Sequence, residues 1–177
     1  MRWRVWSDRL IVLLVLLGLS AFWYLTIPRP LTEADLPQHT ADVANGKLLY
    51  TAGGCHSCHL PGPELQGVDA SVPAGGTPLK TPVGIFYPPN LTPDAETGLG
   101  KWSEAQIVAA IRTGVRPDGR QLVPIMPYMS YAAMSDGDAQ ALAAYLKSLA
   151  PIKHAAPPMT AHAAGAPAPY LTVKMPQ

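Results

Sequence analysis

The stretch GGCHSCHLPG, residues 53–62, holds the residues with the most specific chemistry in this sequence. Cys55 and Cys58 are the 2 cysteines of the 177-residue chain, and His59 follows the second one directly. In a C-x-x-C-H sequence, two thiols add to the vinyl groups on one edge of a porphyrin, and the next imidazole ligates the iron. The motif therefore predicts one covalent haem c, held by Cys55 and Cys58, with His59 as an axial ligand of the iron.

Two other chemistries use the same residue types. A C-x-x-C pair can act as a thiol redox centre, but this interpretation leaves His59 without a role. A structural zinc site needs a second well-spaced pair of ligands to complete a tetrahedron, and the sequence offers no such pair. His56, between the cysteines, is interpreted as an exposed spacer. Haem attachment is thus favoured over thiol redox chemistry and over zinc binding.

A second axial ligand has to come from another part of the chain. A thioether is the usual partner of histidine in electron-transfer haem proteins, and Met126, Met129 and Met134 lie in one short stretch. Met126 is favoured because Pro127 stiffens the chain that follows it. Met134 is the first alternative, although it also suits a hydrophobic staple before a helix. Met129 follows as the third candidate. The remaining alternative is a vacant or His-ligated position, and a vacant one would suit a five-coordinate haem sensor or a catalytic haem protein.

Three segments with a 3.6-residue apolar repeat predict the helices that position these groups. The first covers residues 41–52, begins after the cap residue Thr40 and ends at Gly53, so it leads directly into the haem motif. The second contains WSEAQIVAAIRTG, in which Ser103 and Gln106 form a capping box.

The third predicted helix begins at the cap residue Ser135 and ends before Pro151. Its buried stripe consists of Leu142, Tyr145, Leu146 and Leu149. Gly114 ends the second helix, so the three methionines lie in the loop between the second and third helices. A loop in this position is expected to close over the haem face opposite His59.

The order of these features resembles that of class I cytochromes c. A helix with a glycine and an aromatic residue one turn apart, Gly46 and Tyr50, precedes the C-x-x-C-H motif, and the final helix carries L-x-x-Y at Leu142 and Tyr145. The segments TPVGIFYPPNLTPDAETGLGKWSEAQI, RTGVRPDGRQLVPIMPYMSY and MSDGDAQALAAYLKSL look like haem domains in cytochrome c subunits of membrane-bound alcohol, gluconate and related sugar dehydrogenases. The resemblance implies a small all-α fold, with three to five helices around one covalent haem and the first and last helices crossing at the glycine.

The same resemblance implies electron transfer. Such domains pass electrons from a catalytic flavin or quinone subunit toward the respiratory chain, so the expected partners are a dehydrogenase, a respiratory complex or a terminal oxidase. Those subunits usually carry three haem motifs, whereas this chain has one. A haem with His and Met ligands leaves no open iron position for oxygen or peroxide, so we expect an electron carrier and not an enzyme.

Residues 10–27 contain no charge, and a helix over these 18 residues spans roughly 27 Å, close to the thickness of a bilayer core. Arg2, Arg4 and Arg9 precede this segment and the aromatic triplet FWY lies near its end, which predicts a cytoplasmic N-terminus. The alternative is a cleaved signal peptide, whose apolar region is usually shorter. The expected location is the bacterial inner membrane, crossed once, with the haem domain in the periplasm.

The predicted organisation follows from these segments. A cytoplasmic N-terminus (1–9) precedes the transmembrane anchor (10–27) and a tether (28–38), and the monohaem domain (39–151) is followed by an extended or disordered Ala/Pro-rich tail (152–177). A net charge of +1 gives no basic field of the kind that nucleic acid binds.

Other side chains have secondary roles in the prediction. The aromatic residues that are candidates to line the haem crevice are Tyr87, Trp102, Tyr128 and Tyr131. The arginines that are candidates to bind the haem propionates are Arg112, Arg116 and Arg120. The histidines that we expect to be solvated are His39, His154 and His162. Asn90, which begins an Asn-Leu-Thr glycosylation sequence, is interpreted as a turn residue.

Overall fold

The computed structural model describes residues 2–27, 29–161 and 171–172. Helix α1 covers Arg2–Thr26. Within it, Asp8–Thr26 is the one helical segment of the described chain that is long and apolar enough to cross a membrane, and none of its membrane-length window is buried against the rest of the protein. A membrane anchor and a signal sequence near the N-terminus share this length and composition.

Five further helices build the domain. Their bounds are α2 (Val43–Ala52), α3 (Cys55–Cys58), α4 (Glu104–Thr113), α5 (Tyr128–Tyr131) and α6 (Asp136–Ser148). The predicted capping box of α4 and the predicted Ser135 cap of α6 are both present. The predicted cap of α2 is wrong: Asp42, and not Thr40, caps this helix, because the Asp42 carboxylate accepts a hydrogen bond from the Asn45 N–H.

Helices α2 and α6 cross at Gly46, as the resemblance implied. A Cβ atom at Gly46 would overlap the Ala141 carbonyl of α6, so only glycine permits this approach. One turn further along α2, the Tyr50 ring lies 5.3 Å from the Tyr145 ring, centroid to centroid, at 52°. Helix α4 completes the core, which contains the buried side chains Ile107, Val108 and Ile111 from α4 and Ala139, Leu142, Ala143 and Leu146 from α6.

A small sheet lies beside the helices. Its four strands are β1 (Leu79–Thr81), β2 (Gly84–Phe86), β3 (Thr160–Ala161) and β4 (Leu171–Thr172), in the order β3-β2-β1-β4. Strands β1 and β2 form an antiparallel hairpin that pairs Leu79 with Phe86. This sheet was not predicted from the sequence, and the all-α description with its helix count is not confirmed. Strands of two or three residues are too short to show an alternating apolar pattern.

The segment predicted as a tether packs on the domain. Its residues 33–35 form a 3-10 helix (Glu33–Asp35), and Leu31 and Leu36 pack against the helical core. The Ala105 N–H at the start of α4 donates to Glu33 Oε1 over 3.2 Å. On α6, Gln140 Nε2 donates to the Pro37 carbonyl over 3.0 Å. Helices α4 and α6 of the core therefore both bind this segment.

Candidate haem centre

Both cysteines lie in one helical turn. Gly54 adopts a left-handed backbone with a φ of 70°, which breaks the chain between α2 and α3 and which glycine adopts without strain. Cys55 begins α3, Cys58 ends it, and His59 is its C-cap. Residues three apart in a helix share a face, so the two thiols lie close together, and both are free. Local backbone geometry therefore presents the thiol pair and the imidazole together.

The imidazole of His59 is held by a backbone carbonyl. Its side chain is buried, with 8% of its surface exposed, and Nδ1 lies 2.8 Å from the Pro89 carbonyl oxygen. A carbonyl can only accept, so Nδ1 carries the proton and donates it, and Nε2 keeps its lone pair. Burial lowers the pKa of His59, which favours the neutral ring. Neutral imidazole with a free Nε2 is the form that ligates a metal.

Two tyrosines lie beside Cys55. Tyr131 donates from its hydroxyl to the Gly53 carbonyl over 2.7 Å, and burial together with the neighbouring thiols raises its pKa. Burial, with a smaller effect of Cys55, also raises the pKa of Tyr50, so both phenols stay neutral. Within the described part of the chain, the buried Tyr50 hydroxyl has no hydrogen-bond partner. The other aromatic candidates, Tyr87, Trp102 and Tyr128, are half-buried.

The three methionines differ in their surroundings. Met129 is 70% exposed on α5, and Met134 packs against the helical core. Met126 is half-buried in a tight turn around Pro127, where its N–H donates to the Val123 carbonyl over 3.1 Å and its own carbonyl accepts from the Tyr128 N–H over 2.8 Å. Met126 is therefore held by its backbone, while its side chain is outside the core cluster to which Met134 belongs.

The loop that carries Met126 is fixed to the end of α4. Gly114 ends this helix in a left-handed conformation, with a φ of 71°, and its carbonyl accepts from the Leu122 N–H over 2.7 Å. Gln121 Nε2 donates to the Thr113 carbonyl over 2.8 Å. Residues 114–122 thus form a closed hairpin that limits the positions open to Met126.

The three arginines that were predicted to bind the haem propionates also differ in their surroundings. Arg112 pairs with Asp136 at the start of α6, and Arg120 lies 3.7 Å from Asp118 with its side chain 69% exposed. The guanidinium of Arg116 lies over the Trp102 ring at 5.3 Å from the centroid. Its Nε atom is buried and, among the described residues, has no hydrogen-bond partner. The same Nε atom lies 3.5 Å from Asp118 Oδ2, so the Arg116 guanidinium already has a carboxylate as an ion-pair partner.

The prediction for His154 is wrong. This side chain was predicted to be solvated in the tail, but it is 8% exposed and lies within hydrogen-bond distance of both Ala74 and Glu64. Asn90 is 1% exposed and binds the backbone of the same tail, so it is a buried anchor as well as a turn residue. His39 is exposed, as expected, and His162 lies outside the described residues.

No sequence pattern signals the Pro89 carbonyl, because every residue has a backbone acceptor and none has a residue-type signature.

These residues fit a covalently bound haem. The donor set offers two free thiols one turn apart and a neutral buried imidazole whose Nε2 is available. The unpartnered Tyr50 hydroxyl beside Cys55 indicates that another group belongs against this wall of the site. Within the described residues, no cluster of three or more His, Cys, Asp and Glu side chains is arranged to hold a metal ion directly. The arrangement fits the class of domains that hold haem through a C-x-x-C-H sequence.

Comparison with known families agrees with this class. The family model described as Cytochrome c matches residues 43–150, and the chain belongs to the cytochrome c family. The match begins at the first residue of α2 and ends just after α6, so it covers the whole helical core. A covalently bound haem c follows from this membership.

Curated relatives place similar domains in dehydrogenases. A nicotinate dehydrogenase subunit of Pseudomonas putida is 43% identical over 117 residues, which are 66% of this chain and 9% of that protein. The gluconate 2-dehydrogenase cytochrome c subunit of Pantoea cypripedii is 42% identical over 124 residues, 69% of this chain and 26% of the relative. A diheme cytochrome c-type protein of Cereibacter sphaeroides is 34% identical over 148 residues, 84% of this chain and 49% of the relative.

The chain therefore spans less than half the length of each of these three relatives. The family carries electrons, and the Pantoea protein is named as the cytochrome c subunit of its dehydrogenase. The family and this name agree with the prediction of an electron-transfer protein, and not of a catalytic subunit. One relative is named as diheme, so the number of haems is not carried over from the family.

Proposed function

We propose that this chain is a membrane-anchored monohaem cytochrome c that carries single electrons between a dehydrogenase or respiratory complex and a downstream acceptor. The observation that carries this proposal is the buried His59, which keeps Nε2 free one residue after a pair of free thiols. The number of haems follows from the 2 cysteines of this sequence, which suffice for one covalent attachment. The names of the relatives support a dehydrogenase as the electron donor.

Each residue of the site has a distinct role in this proposal. Cys55 and Cys58 hold the macrocycle, His59 ligates the iron through Nε2, and Pro89 fixes the orientation of the ring. A bound haem c supplies one-electron chemistry at its iron. Tyr131, neutral and bonded to the backbone, helps to exclude water from the thiol side.

Met126 is the proposed sixth ligand, and Met134 is the alternative. Met134 already packs in the helical core, so moving its sulfur to the iron would leave a cavity there. Met126 has no such role in the core, and the closed hairpin before it reduces the entropy lost on ligation. A chain whose sixth position is filled by Met126 exchanges electrons without binding oxygen or peroxide.

The location of the protein is also a proposal. Helix α1 would cross the bacterial inner membrane once, with residues 1–9 in the cytoplasm and the domain of residues 39–151 in the periplasm. Residues 28–38 would connect the two, and residues 152–177 would follow the domain. The position of the apolar helix directly before the cytochrome domain supports this arrangement.

Absorption spectroscopy of the detergent-solubilised chain tests the proposed coordination. We expect one haem per chain, a low-spin spectrum and a weak sulfur-to-iron band in the far red of the ferric protein. Added cyanide or carbon monoxide should bind slowly or not at all, because no iron position is open. Rapid binding of carbon monoxide to a high-spin ferrous protein would instead establish the five-coordinate sensor or catalyst.

Copurification tests the proposed partner. The chain is extracted from its native membrane in mild detergent, and the proteins that accompany it are identified by mass spectrometry. A dehydrogenase that reduces the haem when its substrate is added is the expected result. Recovery of the chain without any redox protein, in a haem state that no dehydrogenase substrate changes, would contradict the dehydrogenase partner.

A further inference from the structure

The three residues 152–154, which follow α6, form a segment that we call the strap. The strap is held by backbone hydrogen bonds along its length. Asn90 Nδ2 donates to the Ile152 carbonyl over 2.7 Å, and the Ile152 N–H donates to Thr92 Oγ1 over 3.1 Å. The His154 N–H donates to Thr97 Oγ1 over 3.0 Å. The loop of residues 90–97 therefore binds both ends of the strap.

The His154 side chain joins the strap to two further loops. Nδ1 lies 2.9 Å from the Ala74 carbonyl oxygen, and Nε2 lies 2.6 Å from Glu64 Oε1. Both ring nitrogen atoms of His154 are therefore within hydrogen-bond distance of an oxygen atom. One buried side chain thus links residues 64, 74 and 154.

The loop that His154 contacts lies directly against the acceptor of His59. The Gly75 N–H donates to the His59 carbonyl over 3.1 Å, and the Gly76 N–H donates to the Pro88 carbonyl over 2.9 Å. A Cβ atom at Gly75 would lie 2.6 Å from the Pro89 carbonyl oxygen, so only glycine allows this approach. Residues 74–76 thus lie between the strap and Pro89, whose carbonyl accepts the hydrogen bond from His59 Nδ1.

Asn90 connects the backbone next to Pro89 with the strap. It follows Pro89 directly and is 1% exposed. Its Oδ1 accepts from the Thr92 N–H over 2.9 Å and from the Thr92 hydroxyl over 2.7 Å, while its Nδ2 binds the strap. The side-chain amide therefore fixes the backbone one residue after the carbonyl that orients His59.

We propose that Asn90 and His154 are positioning residues, which act through the strap to hold the Pro89 carbonyl against His59 Nδ1. This inference rests on the proposed function of His59 as an iron ligand. A histidine ligand that donates its second N–H to a fixed acceptor is oriented and made more basic by that bond. A more basic imidazole stabilises ferric iron, so the strap sets the reduction potential from a distance.

The test uses three variants of the full, haem-loaded chain in detergent. His154→Phe removes both ring hydrogen bonds at similar volume. Asn90→Asp keeps the acceptor for Thr92 and removes the donor to Ile152, so it leaves the turn capped. Lys153→Ala is the matched control, because this strap side chain is 69% exposed and pairs only at the surface, with Glu96.

Two quantities are measured in each variant below its unfolding temperature. In the ferrous protein, NMR gives the exchange rate of the His59 Nδ1 proton, and a redox titration gives the potential. We expect the Nδ1 proton to exchange faster in His154→Phe and in Asn90→Asp than in the unaltered chain, because the acceptor that holds it is less firmly fixed. The potential should rise in His154→Phe, which adds no charge near the iron, and Lys153→Ala should match the unaltered chain in both quantities.

One result would contradict the positioning role of Asn90 and His154. If both variants lower the unfolding temperature but keep the potential and the Nδ1 exchange rate of the unaltered chain, the strap is a stabilising contact and the inference is wrong. If a variant does not fold, the other one still decides, because the two act on different loops. Failure of the proposed function is a separate outcome: the unaltered chain would then show no histidine-ligated haem.

Discussion

Gly46 of α2 and Ala141 of α6 are in direct backbone contact at the crossing of the two helices. A side chain at Gly46 would meet both the Ala141 carbonyl and, at 2.8 Å, the Cβ atom of Tyr145. The contact continues one turn along each helix in the ring pair of Tyr50 and Tyr145. Because Cys55 lies shortly after α2, this crossing also sets where the thiols lie relative to the core.

Replacing Gly46 with Ala should therefore separate α2 from α6. Although alanine favours helix by about 0.5–1 kcal/mol over glycine, overpacking at a tight contact costs about 1–3 kcal/mol and occasionally more. We expect a net loss of stability in denaturant unfolding followed by circular dichroism. Lys47→Ala, at the next and exposed position of α2, is the control. Equal stability of Gly46→Ala and the unaltered chain would show that the helices do not cross in this way.

Covalent attachment depends on Cys55 and Cys58. Acid-acetone extraction should leave the haem on the unaltered chain, and replacing both cysteines with Ala should release it, because the sequence has no other cysteine. The pyridine haemochrome spectrum gives the number of haems, for which we expect one per chain. Ser57→Ala, in the same helical turn, is the control and should keep the haem. Haem that is extracted from the unaltered chain would contradict the c-type attachment.

The axial methionine is tested by two leucine variants. Met126→Leu should erase the far-red band of the ferric protein, whereas Met134→Leu should keep it and cost about 1 kcal/mol or less, as expected for a volume-conserving core substitution. Met126→His should lower the reduction potential, because imidazole stabilises ferric iron more than a thioether does. If only Met134→Leu removes the band, the ligand is Met134.

Asp94 gives the loop before α4 a pH-dependent stability. Its Oδ1 accepts from the Thr97 N–H and the Thr97 hydroxyl, each over 2.7 Å, and these bonds hold the pKa of the carboxyl below its ordinary value of 3.8. A lowered pKa in the folded protein means that the stabilisation is complete above pH 3.8 and disappears as the pH falls through the folded value.

Asp94→Asn should accordingly be less stable than the unaltered chain at neutral pH, with a difference that shrinks in acid. Urea unfolding at a series of pH values measures this difference. Glu96→Gln is the control, because its carboxylate pairs with Lys153 at the exposed surface and contributes little. An Asp94→Asn difference that is constant down to strongly acidic pH would show that the charge of Asp94 is irrelevant to the loop.

Membrane retention is tested at Gly18, near the middle of the apolar segment. The chain should stay in membranes after high-salt and carbonate washing. An added Cβ at Gly18 meets nothing within 4 Å, so its replacement changes only hydrophobicity. Gly18→Arg should weaken insertion, since arginine at the bilayer centre costs about 2.5–3.5 kcal/mol on insertion scales, and Gly18→Leu should not. A mature N-terminus near Ala21 in mass spectrometry would instead show cleavage.

The sequence predicted those features that depend on neighbouring residues. The capping box of Ser103 and Gln106 is a local pattern, and the crossing of α2 and α6 at Gly46 was implied by the resemblance to class I cytochromes c. The position of His154 was missed because its partners Glu64 and Ala74 lie 90 and 80 residues away, so nothing near it in the sequence indicates burial.

Pro89 and Asn90 were not predicted as parts of the site for the same reason. Pro89 acts through its carbonyl, an atom that every residue has, so its role appears only once the loops are placed together. Asn90 looked like an ordinary turn residue, because its local bonds to Thr92 follow the usual pattern, whereas its bond to Ile152 spans 62 residues. Long-range backbone contacts of this kind set the site and leave no periodic signal.

Because residues 31–37 pack on α4 and α6, the linker between the membrane helix and the domain is shorter than the sequence suggests. Only residues 27–30 separate α1 from this packed segment, and four extended residues reach roughly 14 Å. With α1 in a bilayer, the domain would stay close to the membrane surface and would meet its partner by diffusion in two dimensions. The rate of encounter would then depend on how many partner molecules each unit of membrane area holds. A partner that is free in bulk solution would not gain from the high local concentration that tethering creates.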